Sequence, residues 1–214
     1  MKRKTKLNLV FVCLVLFFSL FLSGELKAEE RYDWEEFEEI YINFVNNEEK
    51  NYAKEFLAIL PKEGLPQEEI ERGKEQLDLI FHNFSKLEAR VEKGSLTSFN
   101  ILFRLKRQTD GAYSQQLSVL IGSLMTEEPE NFLLAVEGNF EQIKRFDAIL
   151  GSLGTEYVDE FEKQKEELKR RLAVLNKVET EEISEPIREL AVCKLEARIQ
   201  RVEQTLEEIE KQKE

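Results

Sequence analysis

Gly94-Ser95-Leu96-Thr97-Ser98-Phe99-Asn100-Ile101-Leu102-Phe103-Arg104-Leu105 is the one stretch of this chain that reads two ways. Phe99, Ile101, Phe103 and Leu105 alternate with other residues at the period of a half-buried strand. A strand must pair its backbone N–H and C=O groups with a second strand. No convincing partner strand exists elsewhere in the sequence. The stretch is therefore read as a helix, and that reading makes the whole chain all-α.

Working outward, the flanking segments repeat at helical period. Asp33 caps a helix whose stripe is Trp34, Phe37, Ile40, Tyr41 and Phe44. A second helix is predicted from about Glu48 to Leu60, with Tyr52, Phe56, Leu57 and Leu60 inside, and Pro61 and Gly64 end it. Pro66 opens a third, read as one helix with Ile70, Leu77, Ile80, Phe81, Phe84, Leu87 and Val91 on one face until Gly94 stops it. At the other end two long helices are expected, at about 155–178 and 184–212. Glu179-Thr180-Glu181-Glu182 joins them, which predicts an antiparallel hairpin.

The middle of the chain carries a weak internal repeat. Gly-Ser-Leu recurs at Gly94, Gly122 and Gly151, Thr97, Thr126 and Thr155 share the period, and so do Phe103, Phe132 and Phe161. Asp110 aligns with Asn139, Leu117 with Phe146, Leu120 with Ile149 and Ile121 with Leu150. Read physically, each unit of about 29 residues is a helix–turn–helix in which Thr caps the first helix and Asp or Asn the second. The pattern resembles helical-repeat architecture in general, so short repeats that stack as a solenoid are expected over 29–154. A long hairpin over 155–214 packs on that region or extends from it.

The N-terminus predicts location. Lys2, Arg3, Lys4 and Lys6 precede an apolar run from Leu7 to Leu22, and Ser23 to Ala28 turns polar. That order is a secretory signal, residues 1–28, with an uncleaved anchor as the alternative. The apolar run is shorter than the roughly 20 residues of a membrane span, which favours the removed signal. The expected location is periplasmic or extracellular.

Charge narrows the partners. The chain carries 43 acidic and 31 basic residues, a net charge of −12. Loss of residues 1–28 removes five bases and one acid and takes the balance to −16. Such a field repels nucleic acid and anionic lipid, and membrane contact is expected only through an uncleaved N-terminus. The expected partner is another protein, and the charge favours a basic one. Cys193 is the one cysteine after the signal, so it is a buried hydrophobe, a free thiol or a link between chains.

Candidate chemistry is sparse. Glu71, Glu75, Asp78 and the only histidine, His82, fall on one side of the predicted third helix and are weak candidates for a metal site. A solvated face is the simpler reading, and no metal or cofactor is called for. Thr109-Asp110-Gly111-Ala112-Tyr113-Ser114 offers a pocket lining or, more simply, an Asp-capped helix start. No phosphate loop, metal-spaced Cys/His cluster or serine-hydrolase elbow is present, so the sequence does not point to an enzyme.

The expected function is an exported, non-enzymatic binding or scaffold protein of the cell envelope. Two alternatives come from other classes. One is a periplasmic hydrolase with a carboxylate pair in a helical cleft, chemistry that leaves no linear signature. The other is self-association through the final helix. There Val192, Leu195, Ile199, Val202, Leu206 and Ile209 form a 3–4 seam suited to a coiled coil, and Cys193 lies beside it.

Overall fold

The computed structural model describes residues 31–214, apart from 48, 92, 144, 180–184 and 213–214. The predicted signal at 1–28 lies outside the described residues. Trp34–Glu214 forms one compact unit. Its described residues carry eleven α-helices and no strand. They are α1 (Trp34–Asn46), α2 (Lys50–Ile59), α3 (Gln67–Arg72), α4 (Lys74–His82), α5 (Phe84–Val91) and α6 (Leu96–Arg107). Then follow α7 (Gly111–Glu127), α8 (Pro129–Asn139), α9 (Phe146–Gly151), α10 (Phe161–Leu175) and α11 (Glu185–Lys211). The ambiguous stretch is helix α6. Ser95 caps it by accepting the Ser98 N–H at 3.2 Å. Phe99, Ile101, Phe103 and Leu105 are all buried because neighbours cover several faces of α6, not one.

Packing runs along the chain. α1 lies on α2, α4 and α5, and α2 lies on α6. α6 packs on α7 and α8, and α7 in turn on α9 and α10. α11 covers α8, α9 and α10. Two aromatic clusters anchor this sequence of layers. In the first, Phe56 of α2 meets Phe37, Tyr41 and Phe44 of α1 at centroid distances of 5.6, 5.5 and 5.1 Å. In the second, Phe132 of α8 meets Phe99, Phe103 and Phe146 at 5.7, 6.3 and 6.4 Å. Leu168 and Leu175 of α10 and Ala191 and Leu195 of α11 extend the core, all four fully buried.

Three expectations are corrected. The single third helix is broken into α3, α4 and α5, with breaks at Gly73 and Asn83. A straight helix over 67–91 would run for about 37 Å, whereas the 13-residue α1 offers about 20 Å to pack on. Breaking it brings both Leu77 and Ile80 of α4 and Leu87 and Val91 of α5 into the core. Gly73 is required at the first break, since a Cβ there would stand 1.9 Å from Cε2 of Trp34. At the second, the Asn83 side-chain amide donates to the Leu79 carbonyl at 3.0 Å.

The 29-residue unit does not repeat as structure. Gly94 precedes a helix, Gly122 sits inside α7 and Gly151 ends α9. Thr97 lies within α6, and Thr126 lies in the last turn of α7, where its hydroxyl donates to the Ser123 carbonyl at 2.7 Å. Asp110 occupies the cap position of α7 without a capping side-chain bond, and Asn139 ends α8 instead of starting α9. What recurs is the buried face. Leu117, Leu120, Ile121, Phe146, Ile149 and Leu150 are all core residues.

The first long C-terminal helix starts at Phe161, not near Thr155. Residues Thr155–Tyr157 form a 3-10 turn, and Asp159 takes a positive φ of 63°, which a continuous helix does not allow. α10 and α11 pack side by side, with Lys169 Nζ 3.6 Å from a Glu203 carboxylate oxygen. Their connection includes 180–184, outside the described residues. Among the described residues no helix is long and apolar enough to cross a membrane.

Burial has a titration consequence at Tyr41, which is 1% exposed and donates to the Ile80 carbonyl at 3.5 Å. Burial pushes its phenol far above the ordinary value. Above a pH of about 10 the unfolded chain loses this proton and the folded chain keeps it. Stability therefore falls as pH rises past that point, by up to about 1.4 kcal/mol per pH unit from this group. Urea midpoints between pH 8 and 11 check this, and Tyr41→Phe should flatten the decline.

Candidate functional site

A cavity of about 800 Å³ opens where the end of α6, the start of α7 and the segment around α9 meet. Thr109, Asp110, Gly111 and Ser114 all line it, so the polar cluster seen in the sequence is a cavity wall. Tyr113 turns away, stacks on Phe81 at 3.7 Å and donates to Asp78 at 3.0 Å. Three cations reach the cavity: Lys106, Arg107 and Arg145. Its acids, Glu63, Asp110 and Glu141, are all exposed residues.

These cations differ in what holds them. Arg107 donates to the Lys62 carbonyl and, at 2.6 Å, to Asn139 Oδ1. Asn139 is itself buried and donates to Asn100 Oδ1 at 2.7 Å. Arg104 nearby donates to the carbonyls of Leu57 and Leu60 at 2.7 and 3.0 Å. Both arginines satisfy carbonyls around the end of α2, a structural task. Lys106 instead reaches Ser114 Oγ at 2.5 Å, beside the cavity. Burial lowers its pKa, and the positive charge of Arg145 lowers it further.

A second cavity of about 520 Å³ adjoins the first and shares Gln115, Arg145, Ala148 and Ser152 with it. α11 forms its far wall with Lys194, Arg198 and Arg201, spaced i, i+4, i+7 on one exposed face. The Arg198 side chain lies over Gly151, with Cγ 3.4 Å from where a Cβ would sit. The lining holds four cations, counting Arg145, against one acid, Asp147. Among the described residues no carboxylate comes within 4.0 Å of Arg145, Lys194, Arg198 or Arg201. Arg145 also holds a left-handed backbone with φ 57°, an uncommon state for a residue with a side chain.

In a chain with more acids than bases, four cations gathered around a cavity that supplies one acid mark a local reversal of the overall charge. The cations of α10, by contrast, are all paired, as Lys165 is with Glu162 and Arg170 with Glu167. No protein-family model, curated protein or solved structure matches the chain, so the site rests on its own geometry.

The residues singled out in the sequence fall as follows. Glu71 and Glu75 lie on different helices, on either side of Gly73. Glu71 accepts from Gln67, Asp78 accepts from Tyr113, and the His82 ring bonds the Asp78 carbonyl at 2.7 Å. Among the described residues no three His, Cys, Asp or Glu side chains gather as a metal site would require. In the α11 seam, Leu195, Ile199 and Val202 are buried in the chain's own core, and Val192, Leu206 and Ile209 are half-buried. The seam packs against α8, α9 and α10, whose core its apolar stripe completes. Cys193 is an exposed free thiol on the wall of the second cavity, so the buried reading does not hold.

Lys106, Arg145, Lys194, Arg198 and Arg201 escaped the sequence reading. The spacing of the last three was legible on a helix. Nothing in the sequence aimed Arg145 at them.

Proposed function

We propose that the chain is an exported, non-enzymatic binding protein of the cell envelope, and that its ligand presents anionic groups to the double cleft. The observation that carries this reading is the set of cations Arg145, Lys194, Arg198 and Arg201 around a concave surface, none with a carboxylate within 4.0 Å among the described residues. Binding sites are concave and hold a few convergent polar groups, and arginine matches carboxylate or phosphate in a bidentate fork. The strongly acidic whole chain favours a partner that is basic or neutral elsewhere and anionic where it enters the cleft. Export rests on the signal pattern of residues 1–28. A hydrolytic carboxylate pair gains no support from the cleft, whose acids are exposed and lack the dry setting a catalytic acid needs. Pairing of chains through the α11 seam gains none either, since its centre is buried within the chain.

The test uses residues 29–214 titrated calorimetrically with citrate, inorganic triphosphate and a hexaglutamate peptide. At least one should bind, more weakly as salt rises. Arg145→Glu combined with Arg198→Glu should abolish that binding while the circular dichroism stays native. Absence of binding by all three probes in low salt would overturn the reading. Export is tested separately by fusing residues 1–28 to a reporter active only outside the cytoplasm.

A further inference from the structure

Resting on that reading, we infer that the anionic ligand is an extended acidic polypeptide segment, one that lies along α11 and ends near Lys106. The geometry of the cations supports this over a compact anion. Lys194, Arg198 and Arg201 rise along one helix face at steps of about 6 and 4.5 Å. A single phosphate or carboxylate engages one or two members of such a row. An extended chain advances about 3.3 Å per residue, so acids at alternate positions recur about every 6.6 Å on one face. That repeat is close to the first step on α11, and the long arginine side chains span the difference at the second.

Continuity extends the track. Arg145 belongs to both cavities, and beyond it Lys106 lies in the first with its ammonium on Ser114 Oγ. Besides Arg145, the shared wall holds Ala148 and two uncharged hydrogen-bonding residues, Gln115 and Ser152, which suit the amides of a peptide backbone. The order of charges therefore reads Lys106, Arg145, then the α11 row. Three of these five cations are arginines, whose planar forks suit side-chain carboxylates. The net charge of −12 disfavours a long uniform polyanion such as nucleic acid, whose flanks would meet acidic surface. A short acidic segment carried on another protein avoids that repulsion.

The closing experiment compares hexaglutamate, citrate, triphosphate and single-stranded hexathymidylate against residues 29–214. The expected result is hexaglutamate binding about tenfold tighter than citrate or triphosphate, with hexathymidylate weaker than the peptide. Lys194→Gln with Arg198→Gln and Arg201→Gln should remove that advantage and bring the peptide down to the affinity of citrate. Arg145→Gln alone, a single exposed change, should weaken the peptide several-fold as an independent check. Equal affinity for peptide and compact anions would overturn the extended-segment inference and leave the anion-binding reading standing. Equal or tighter binding of hexathymidylate, or peptide binding indifferent to the α11 variant, would also overturn it. No binding by any probe would overturn the underlying reading as well.

Discussion

Replacing Arg171 by leucine is expected to lower folding stability by about 3 kcal/mol, the low end of what breaking a buried charge pair costs. Arg171 sits on α10 and is 3% exposed. Its Nη1 donates to the carbonyls of Leu150 and Ser152, each at 2.8 Å. Those carbonyls lie at the C-terminal end of α9, where the helix itself supplies no partner. Nε donates to Glu167 at 3.1 Å. The guanidinium also lies against Gly122 of α7, since a Cβ there would stand 2.5 Å from Nη1. One side chain thus ties together α7, α9 and α10.

The charges around Arg171 work in opposite directions. Burial lowers the Arg171 pKa, and the hydrogen bond and negative charge of Glu167 oppose it. Burial alone would raise Glu167, but hydrogen bonds and charge from Arg170 and Arg171 outweigh it and hold the carboxyl below its ordinary range. With leucine at 171, Glu167 keeps Arg170 at 2.8 Å, so the carboxylate is not orphaned. The larger loss is two carbonyls without this donor, that of Leu150 buried and that of Ser152 partly so, which is why the low end of the range is expected. In a chain of this size the change should lower the melting temperature by roughly 10 °C. Glu167 has a depressed folded-state pKa, so its contribution is present above the unfolded carboxyl pKa and lost as pH falls through the folded one. The gap between Arg171→Leu and the parent should therefore narrow below a pH of about 4. Gly122→Ala should reproduce part of the loss by displacing the guanidinium, and the two changes should not add.

Phe56→Ala is expected to cost about 4 kcal/mol, in the range for deleting a buried phenylalanine ring. Phe56 is fully buried and touches three rings of α1, of which Phe44 stacks on it at 5.1 Å with an interplanar angle of 19°. Its removal opens a cavity bounded by rings that other helices hold in place. Phe37 and Tyr41 are themselves 2% and 1% exposed and pack where α4 and α5 also meet α1. Collapse around the cavity would have to move α2 along the face of α6, on which it packs. Denaturant midpoints measure the loss. Phe56→Leu, which keeps most of the volume, should cost less than half as much. A loss below about 1 kcal/mol for Phe56→Ala would show that the N-terminal layer is looser than this packing implies.

Much of the fold was legible because helices are local objects. The stripe from Trp34 to Phe44 is α1, and Trp34, Phe37, Tyr41 and Phe44 are its buried residues. The alternating residues of α6 were assigned to a helix by the lack of a strand partner, and the backbone agrees. Local reasoning failed where a distant residue decided the outcome. Gly73 carries no sign that an indole from α1 lies against it, so the break between α3 and α4 was invisible. The matched spacing of Gly94, Gly122 and Gly151 suggested equivalent turns, yet each glycine meets a different neighbour. The cleft shows the same division. Thr109 to Ser114 stood out as a polar cluster, while the cations that give the cleft its character come from α6, from Arg145 just before α9, and from α11.

The sequence by itself determined that this chain is built of helices, roughly where most of them lie and which residues fill the core. Those follow from residue period, helix-ending glycines and prolines, and the transfer of apolar side chains out of water, all of which act over a few residues. Only the tertiary structure decided that the centre of the apolar seam of α11 is internal and that Arg171 joins three helices. It alone brought Lys106, Arg145 and the α11 row to adjoining cavities. The reason is that charge and cavity shape are properties of surfaces. Residues about 40 and 90 positions apart become neighbours only when the packing of α7, α9 and α11 fixes which faces look outward together.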